Sequence, residues 1–189
     1  MLDSSRILVV SAIARELAAP NGWRTLVCGV GPVEAAAATA ADIARHRPSL
    51  ILHVGIAGAR RRMGIAPASL VIGTESIYCD LGVPAEWAPR RLVIAHDLVA
   101  AAQRVLPAAQ LRAIGTSAHV GGTADCDVEA MEGFAVLRAA QLAGIPALEV
   151  RAVSNDIEEP DRTNWHFDAA FSAITAATPA LVAELLHLA

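Results

Sequence analysis

Two stretches of the chain carry residue types that could do chemistry together. The first reads Val128-Glu129-Ala130-Met131-Glu132-Gly133 and the second Val150-Arg151-Ala152-Val153-Ser154-Asn155. Read as the start of a helix, the first places Glu129 and Glu132 three apart and on one face. Acids are favoured in a first helical turn, and that alone accounts for Glu129. It accounts less well for Glu132, whose neighbours Met131, Gly133 and Phe134 are apolar or small and imply burial. A buried carboxylate needs partners. Ligand hydroxyls or a nearby arginine such as Arg151 could supply them.

Other conspicuous signals carry less. Gly29-Val30-Gly31 lies between a strand and a helix, as a dinucleotide fingerprint would, but Glu34 stands where the third glycine belongs. A carboxylate there would face a pyrophosphate, so a tight strand–helix turn is the better reading. Gly115-Thr116-Ser117-Ala118-His119 lacks the closing glycine of a nucleophile elbow. The six histidines show no metal spacing and there is no Cys-x-x-Cys, so no metal is expected. Arg60-Arg61-Arg62 reads first as a solvated loop, with a charged-ligand site as the minority reading.

The elements that must position these residues alternate. Strands are expected over residues 6–12, 24–28, 50–54, 69–72, 75–79, 112–117 and 147–154. Helices are expected over 33–47, 97–106, 129–143 and 168–188, with Pro179 breaking or kinking the last. Gly55-Ile56-Ala57-Gly58 is expected to end the third strand, and residues 81–92 to form an exposed loop. This alternation indicates an α/β fold with a largely parallel sheet. At 189 residues it is expected as a single domain over 1–189.

Composition excludes several functions. All 15 basic residues are arginine, so no Schiff base, pyridoxal-phosphate anchor or P-loop lysine is possible. A net charge of −4 gives no basic field for nucleic acid. No apolar run reaches 18 residues free of charges and turn formers, so no membrane span is expected. The N-terminal residues, with an acid and an immediate strand-like run, do not read as a signal peptide. Three scattered cysteines, Cys28, Cys79 and Cys126, suggest reduced thiols and a cytoplasmic setting.

Four pieces together resemble the superfamily of nucleoside phosphorylases and nucleosidases that cleave purine N-ribosidic bonds. They are Gly29-Val30-Gly31-Pro32-Val33-Glu34-Ala35-Ala36, Val54-Gly55-Ile56-Ala57-Gly58, Met131-Glu132-Gly133 and Val150-Arg151-Ala152-Val153-Ser154-Asn155. Each is weak alone; in this order they are fairly specific. Within the superfamily the chain looks most like the futalosine hydrolases, through Val128-Glu129-x-Met131-Glu132-Gly133, Asp80-Leu81-Gly82, Ser154-Asn155, Glu159-Pro160-Asp161-Arg162 and Trp165.

The resemblance implies a three-layer αβα sandwich with a mixed, partly barrel-like central sheet. It implies hydrolysis of futalosine to release hypoxanthine in the alternative menaquinone pathway, with no cofactor. A homo-oligomer is expected, a dimer first. On this reading Glu132 accepts hydrogen bonds from the two ribose hydroxyls and Met131 packs under the sugar; a carboxylate can take two hydroxyls at once. It would also stabilise an oxocarbenium-like sugar. Adenine-cleaving members carry aspartate where this chain has Asn155, and an amide suits a 6-oxopurine; Asn155 could equally cap the strand–loop turn. Gly55, Ala57 and Gly58 would offer backbone N–H groups to water and ribose. Arg151, Ser154, Asp80 and Trp165 complete the expected substrate contacts. The substrate carboxylate would meet Arg162 or the 60–62 run, since no lysine exists.

The chain departs from the family pattern in places. Ala14 stands where adenine-specific nucleosidases carry the glutamate that orients the attacking water; Glu16, two residues on, is the candidate here, or else an exposed helical glutamate. Phosphorylases hold phosphate with arginines, and Arg15 has no evident partner for such a clamp. Water is therefore expected as the nucleophile, with a 6-oxopurine phosphorylase, or a relative that binds nucleosides without cleaving them, as the alternatives. Residues 122–129 and 81–92 are short for the family.

Overall fold

A computed structural model describes residues 4–121 and 126–189. Residues 122–125, within the short stretch noted above, lie outside the described residues. The strands are β1 (Ile7–Ser11), β2 (Arg24–Val27), β3 (Leu50–Ala59), β4 (Leu70–Tyr78), β5 (Arg91–Val93), β6 (Gln110–Thr116), β7 (Val128–Ala130) and β8 (Ala147–Asp156). The helices are α1 (Pro32–His46), α2 (His96–Val105), α3 (Gly133–Leu142) and α4 (Phe167–Leu185).

Five strands close on themselves. β3 pairs with β7, β7 with β6, β6 with β4, β4 with β8, and β8 with β3. The β3–β7 and β4–β8 pairs are antiparallel and the other three parallel, so the barrel is mixed. β1 and β2 extend the sheet in parallel from β3, and β5 adds an antiparallel edge to β4. Apolar residues from all five barrel strands, among them Ala57, Val71, Ile114, Val128 and Val153, form one buried cluster. A larger cluster joins β1, β3 and β8 to the helices. α1 packs with α3 and α2 with α4, giving helix layers around the sheet. This is the expected fold class, including its partly closed sheet.

Several local expectations are corrected. The exposed loop expected over 81–92 gives way to β5 at Arg91, and Leu92 is buried. Gly55 to Gly58 does not end the third strand. β3 runs on to Ala59, because β8 continues beside it through the register pair Ala59↔Asp156. One strand, β4 over residues 70–78, replaces the two expected over 69–72 and 75–79, since β6 pairs with it from Val71 to Tyr78 across an irregularity near Gly73. The helix expected from residue 129 begins at Gly133. Residues 128–130 are instead drawn into β7, which bridges β3 and β6 and closes the barrel. Glu129 and Glu132 therefore do not share a helical face.

α4 runs through Pro179 without a break. Pro179 is exposed, so water can serve the carbonyl it frees. Residues 167–188 are long and apolar enough to cross a bilayer. Here Ala170, Ile174, Leu181 and Leu185 are fully buried, and the helix packs on β3, β8 and α2 as a core element.

Candidate active site

β1, β3 and β8 run parallel, and their carboxyl ends meet beside the β7–α3 junction. Ligands bind at such strand ends in open α/β sheets. A cavity of about 180 Å³ opens there, lined by Glu16, Ile56, Ala57, Gly58, Met131, Glu132, Ser154, Asn155 and Trp165, with Ala12, Ile13, Val30, Val120, Glu129 and Ala130. Eight of the residues proposed from sequence line it. Arg151 and Gly55 lie directly behind it. Asp80 and Arg162 do not reach it.

Glu16 is not the exposed helical glutamate that the sequence left open. It closes a single 3-10 turn after β1 and is buried. Its Oε2 accepts from the backbone N–H groups of Ala12 and Ile13 at 3.1 and 3.2 Å, and its Oε1 from Ile56 N–H at 3.0 Å. Three backbone donors fix the carboxylate in one orientation. Burial nevertheless pushes its pKa above the ordinary carboxylate value, against the pull of Arg151.

Glu132 is the N-cap residue of α3 and is 4% exposed. Its Oε1 accepts from Gly31 N–H at 3.1 Å, and its Oε2 lies 3.6 Å from Arg151 Nη1. The Gly29-Val30-Gly31 turn thus serves the site through its backbone. Both glycines sit at positive φ, 85° and 92°, where a side chain would be strained.

Arg151 is fully buried on β8 and lies directly opposite Gly55 of β3. A Cβ on Gly55 would collide with Arg151 Nη1 and crowd Glu16 Oε1, so only glycine leaves room for the guanidinium at this point of the sheet. Glu149, two residues back on the same strand face, accepts from Arg151 Nε at 2.9 Å. His53, opposite Glu149 in the register, sits 2.5 Å from Arg151 Nη2. Burial and Arg151 together hold His53 neutral. Burial works against the Arg151 charge, but Glu149, Glu132 and Glu16 outweigh it. Sequence reasoning missed Glu149 and His53. Their signal was a charged or titratable residue in the middle of an apolar strand, in Leu-Ile-Leu-His-Val and Ala-Leu-Glu-Val.

Asn155 lies at the far end of β8, beyond a bulge that places Gly58 opposite it. Its Oδ1 accepts from Ser154 Oγ at 2.7 Å and its Nδ2 donates to Asp156 O at 2.9 Å. Each end of the amide keeps capacity for one further hydrogen bond. Trp165 is fixed by its indole N–H donating to Glu159 O at 3.1 Å.

The remaining candidates have other partners. Asp80 accepts from Ser117 Oγ at 2.9 Å and from Ala118 N–H, which ties down the turn after β6. The Ser117 hydroxyl is thus engaged away from the cavity. Arg60, Arg61 and Arg62 pair with Glu158, Asp156 and Asp127. Arg162 stacks over Trp165, 5.6 Å from the ring centroid, and borders a second, more open groove with Arg15, His166, Phe167 and Phe171. Trp165 lines both spaces. Among the described residues no group of three or more His, Cys, Asp or Glu could hold a metal ion.

This architecture has known counterparts. Residues 24–187 match the Phosphorylase superfamily. A futalosine hydrolase of Streptomyces coelicolor is 35% identical, covering 88% of this chain and 81% of that protein. A futalosine hydrolase of Thermus thermophilus is 30% identical, covering 87% and 83%. Two solved structures share the fold. A 5′-methylthioadenosine/S-adenosylhomocysteine nucleosidase of Colwellia psychrerythraea in complex with adenine has a TM-score of 0.82 at 18% identity, covering 95% of each chain. A futalosine hydrolase of Helicobacter pylori also has a TM-score of 0.82, at 15% identity, covering 95% of this chain and 97% of that one. The chain belongs to the phosphorylase superfamily and, within it, to the futalosine hydrolase family.

Proposed function

We propose that the protein hydrolyses the N-ribosidic bond of futalosine and releases hypoxanthine, in the alternative route to menaquinone. One observation carries the reading: two buried carboxylates, Glu16 and Glu132, line a single cavity together with the Asn155 amide. The ribose lies against Glu132, which takes the two hydroxyls, with Met131 beneath it. Glu16 holds the attacking water and accepts its proton as the bond to the base breaks. Its rigid anchoring by three backbone donors suits a base that must not move. The positive charge that develops on the sugar falls beside a carboxylate, where it is stabilised most. Asn155 donates to the purine 6-oxygen and accepts from N7, which takes a proton from solvent water as the base leaves. No cofactor enters the scheme.

Water is the nucleophile on this reading, because no arginine lines the cavity among the described residues. Arg151 stands behind it, already engaged by carboxylates. The substrate carboxylate is assigned to Arg162, because Arg60, Arg61 and Arg62 already have acidic partners. The cavity is smaller than the roughly 300–1,000 Å³ of most ligand sites. Its rim carries Ile13, Val30 and Val120, each more than a third exposed. These features favour a homodimer in which a second copy covers the opening. Cys28, Cys79 and Cys126 are unbridged, the last two with sulfurs 3.9 Å apart, and reduced thiols of this kind fit a cytoplasmic setting.

Incubation with futalosine and with inosine, each with and without phosphate, tests the function. Hypoxanthine release from futalosine without phosphate is expected. Phosphate dependence would assign a phosphorylase instead, and no release from either would overturn catalysis altogether.

A further inference from the structure

Arg151 divides its guanidinium between two sets of partners. Nε donates to Glu149 and Nη2 to His53, while Nη1 faces Glu132 and lies over Gly55 beside Glu16. The His53 tautomer follows from its other nitrogen. Nδ1–H donates to Val10 O at 3.0 Å, so Nε2 is the acceptor for Arg151. Glu149 neither lines the cavity nor touches solvent. Space for its carboxylate depends on Gly133, where a Cβ would collide with both oxygens. Burying a carboxylate is costly: burial pushes the Glu149 pKa above the ordinary carboxylate value, against the pull of Arg151, so its place here calls for a use.

The charges give one. A single cation feels three carboxylates: Glu149 on β8 at 2.9 Å, Glu132 at the start of α3 at 3.6 Å and, farther off, Glu16 after β1. The other titratable groups packed against the cluster are neutral. His53 on β3 is held uncharged, and burial pushes the Cys28 thiol, just after β2, up to about 12. An unopposed guanidinium would draw electron density from Glu16 and cancel the negative charge that Glu132 presents to the sugar. Glu149 offsets it from the side away from the cavity.

We infer that Glu149 and His53 are positioning residues: they grip Arg151 by Nε and Nη2, and Glu149 neutralises it, so that Nη1 faces Glu132 without weakening the charge of Glu132 or Glu16. This rests on the hydrolase reading of the cavity.

Glu149→Gln keeps the shape and an acceptor for Nε but removes the charge. For base release from futalosine, kcat should fall about tenfold, the usual scale for losing an outer partner of a site residue, with KM little changed. Glu16 would then face more of the Arg151 charge, so the acid limb of kcat should move to lower pH. Glu149→Asp should keep the wild-type limb. His53→Gln, which alters no charge, should lower kcat without moving the limb. An activity-free readout is calorimetric binding of a cationic iminoribitol nucleoside analogue against its neutral carbocyclic counterpart. Glu149→Gln should weaken only the cation. Wild-type kcat and limb in Glu149→Gln, or a lowered Tm with an unmoved limb, would overturn the inference. If Glu149→Gln does not fold, wild-type kcat in His53→Gln would do so. If the wild-type enzyme itself releases no base, the hydrolase reading fails instead, and the two analogues still decide the role of Glu149.

Discussion

Arg151 meets its carboxylates on a buried strand, whereas Arg61 and Arg62 meet theirs on a solvated 3-10 turn. The Arg151 side chain is 1% exposed and its partners Glu132 and Glu149 are 5% and 0% exposed. Arg61 and Arg62 are 62% and 71% exposed beside half-exposed aspartates. Both regions pair arginine with acid at hydrogen-bond or near-contact distance. Water and salt screen the surface pairs, so they contribute little. In the interior nothing else compensates a charge, so removing one partner strands the others. The three-arginine run dominates the sequence visually, while the single arginine within an apolar strand organises the site.

The sharpest way to break this comparison is to remove Arg151. Arg151→Met should destabilise the fold by about 3–5 kcal/mol, the usual cost of stranding buried partners. Denaturant unfolding measures it, and a loss no greater than that of a surface variant would erase the distinction. Glu132→Gln comes next, with folding retained. Losing one charge-assisted contact to the transition state should lower kcat/KM roughly a hundredfold, about 3 kcal/mol. Wild-type turnover of futalosine would remove Glu132 from the ribose.

Glu16→Gln should reduce kcat by about a hundredfold or somewhat less, with KM nearly constant. A loss confined to KM would make Glu16 a binding group. In the wild type the base must be ionised to work. Since burial raises the Glu16 pKa above 4.5, activity should fade as pH drops through a midpoint above that value, and Glu16→Gln should abolish this limb. Asn155→Asp should shift preference toward a 6-amino base, read as the ratio of kcat/KM for futalosine and its 6-amino analogue. An unchanged ratio would detach Asn155 from the purine 6-position. The smallest effect belongs to the surface: Arg62→Ala should leave Tm unchanged within error, although it deletes an ion pair to Asp127.

Several features of this molecule were legible from its residues alone. Strand–helix alternation gave the α/β class because periodicity and turn formers are local signals. The absence of lysine excluded amine chemistry outright. Met131-Glu132-Gly133 and Arg151 to Asn155 drew attention because burying a carboxylate or a guanidinium demands an explanation wherever it occurs. What lay beyond reach was set by pairing between distant segments. Residues 128–130 carry a local helix signal, yet β3 and β6 recruit them as a strand because the barrel cannot close otherwise. Gly55 to Gly58 reads as a strand end, yet β8 prolongs it. Glu16 has no local feature that separates an exposed glutamate from a buried one. Its burial depends on Ile56 N–H, forty residues away, and on Arg151 beyond that. The sequence by itself determined which side chains could do the chemistry. The tertiary structure decided which of them share one buried charge cluster, because that depends on strand register and on two glycines that leave room for it.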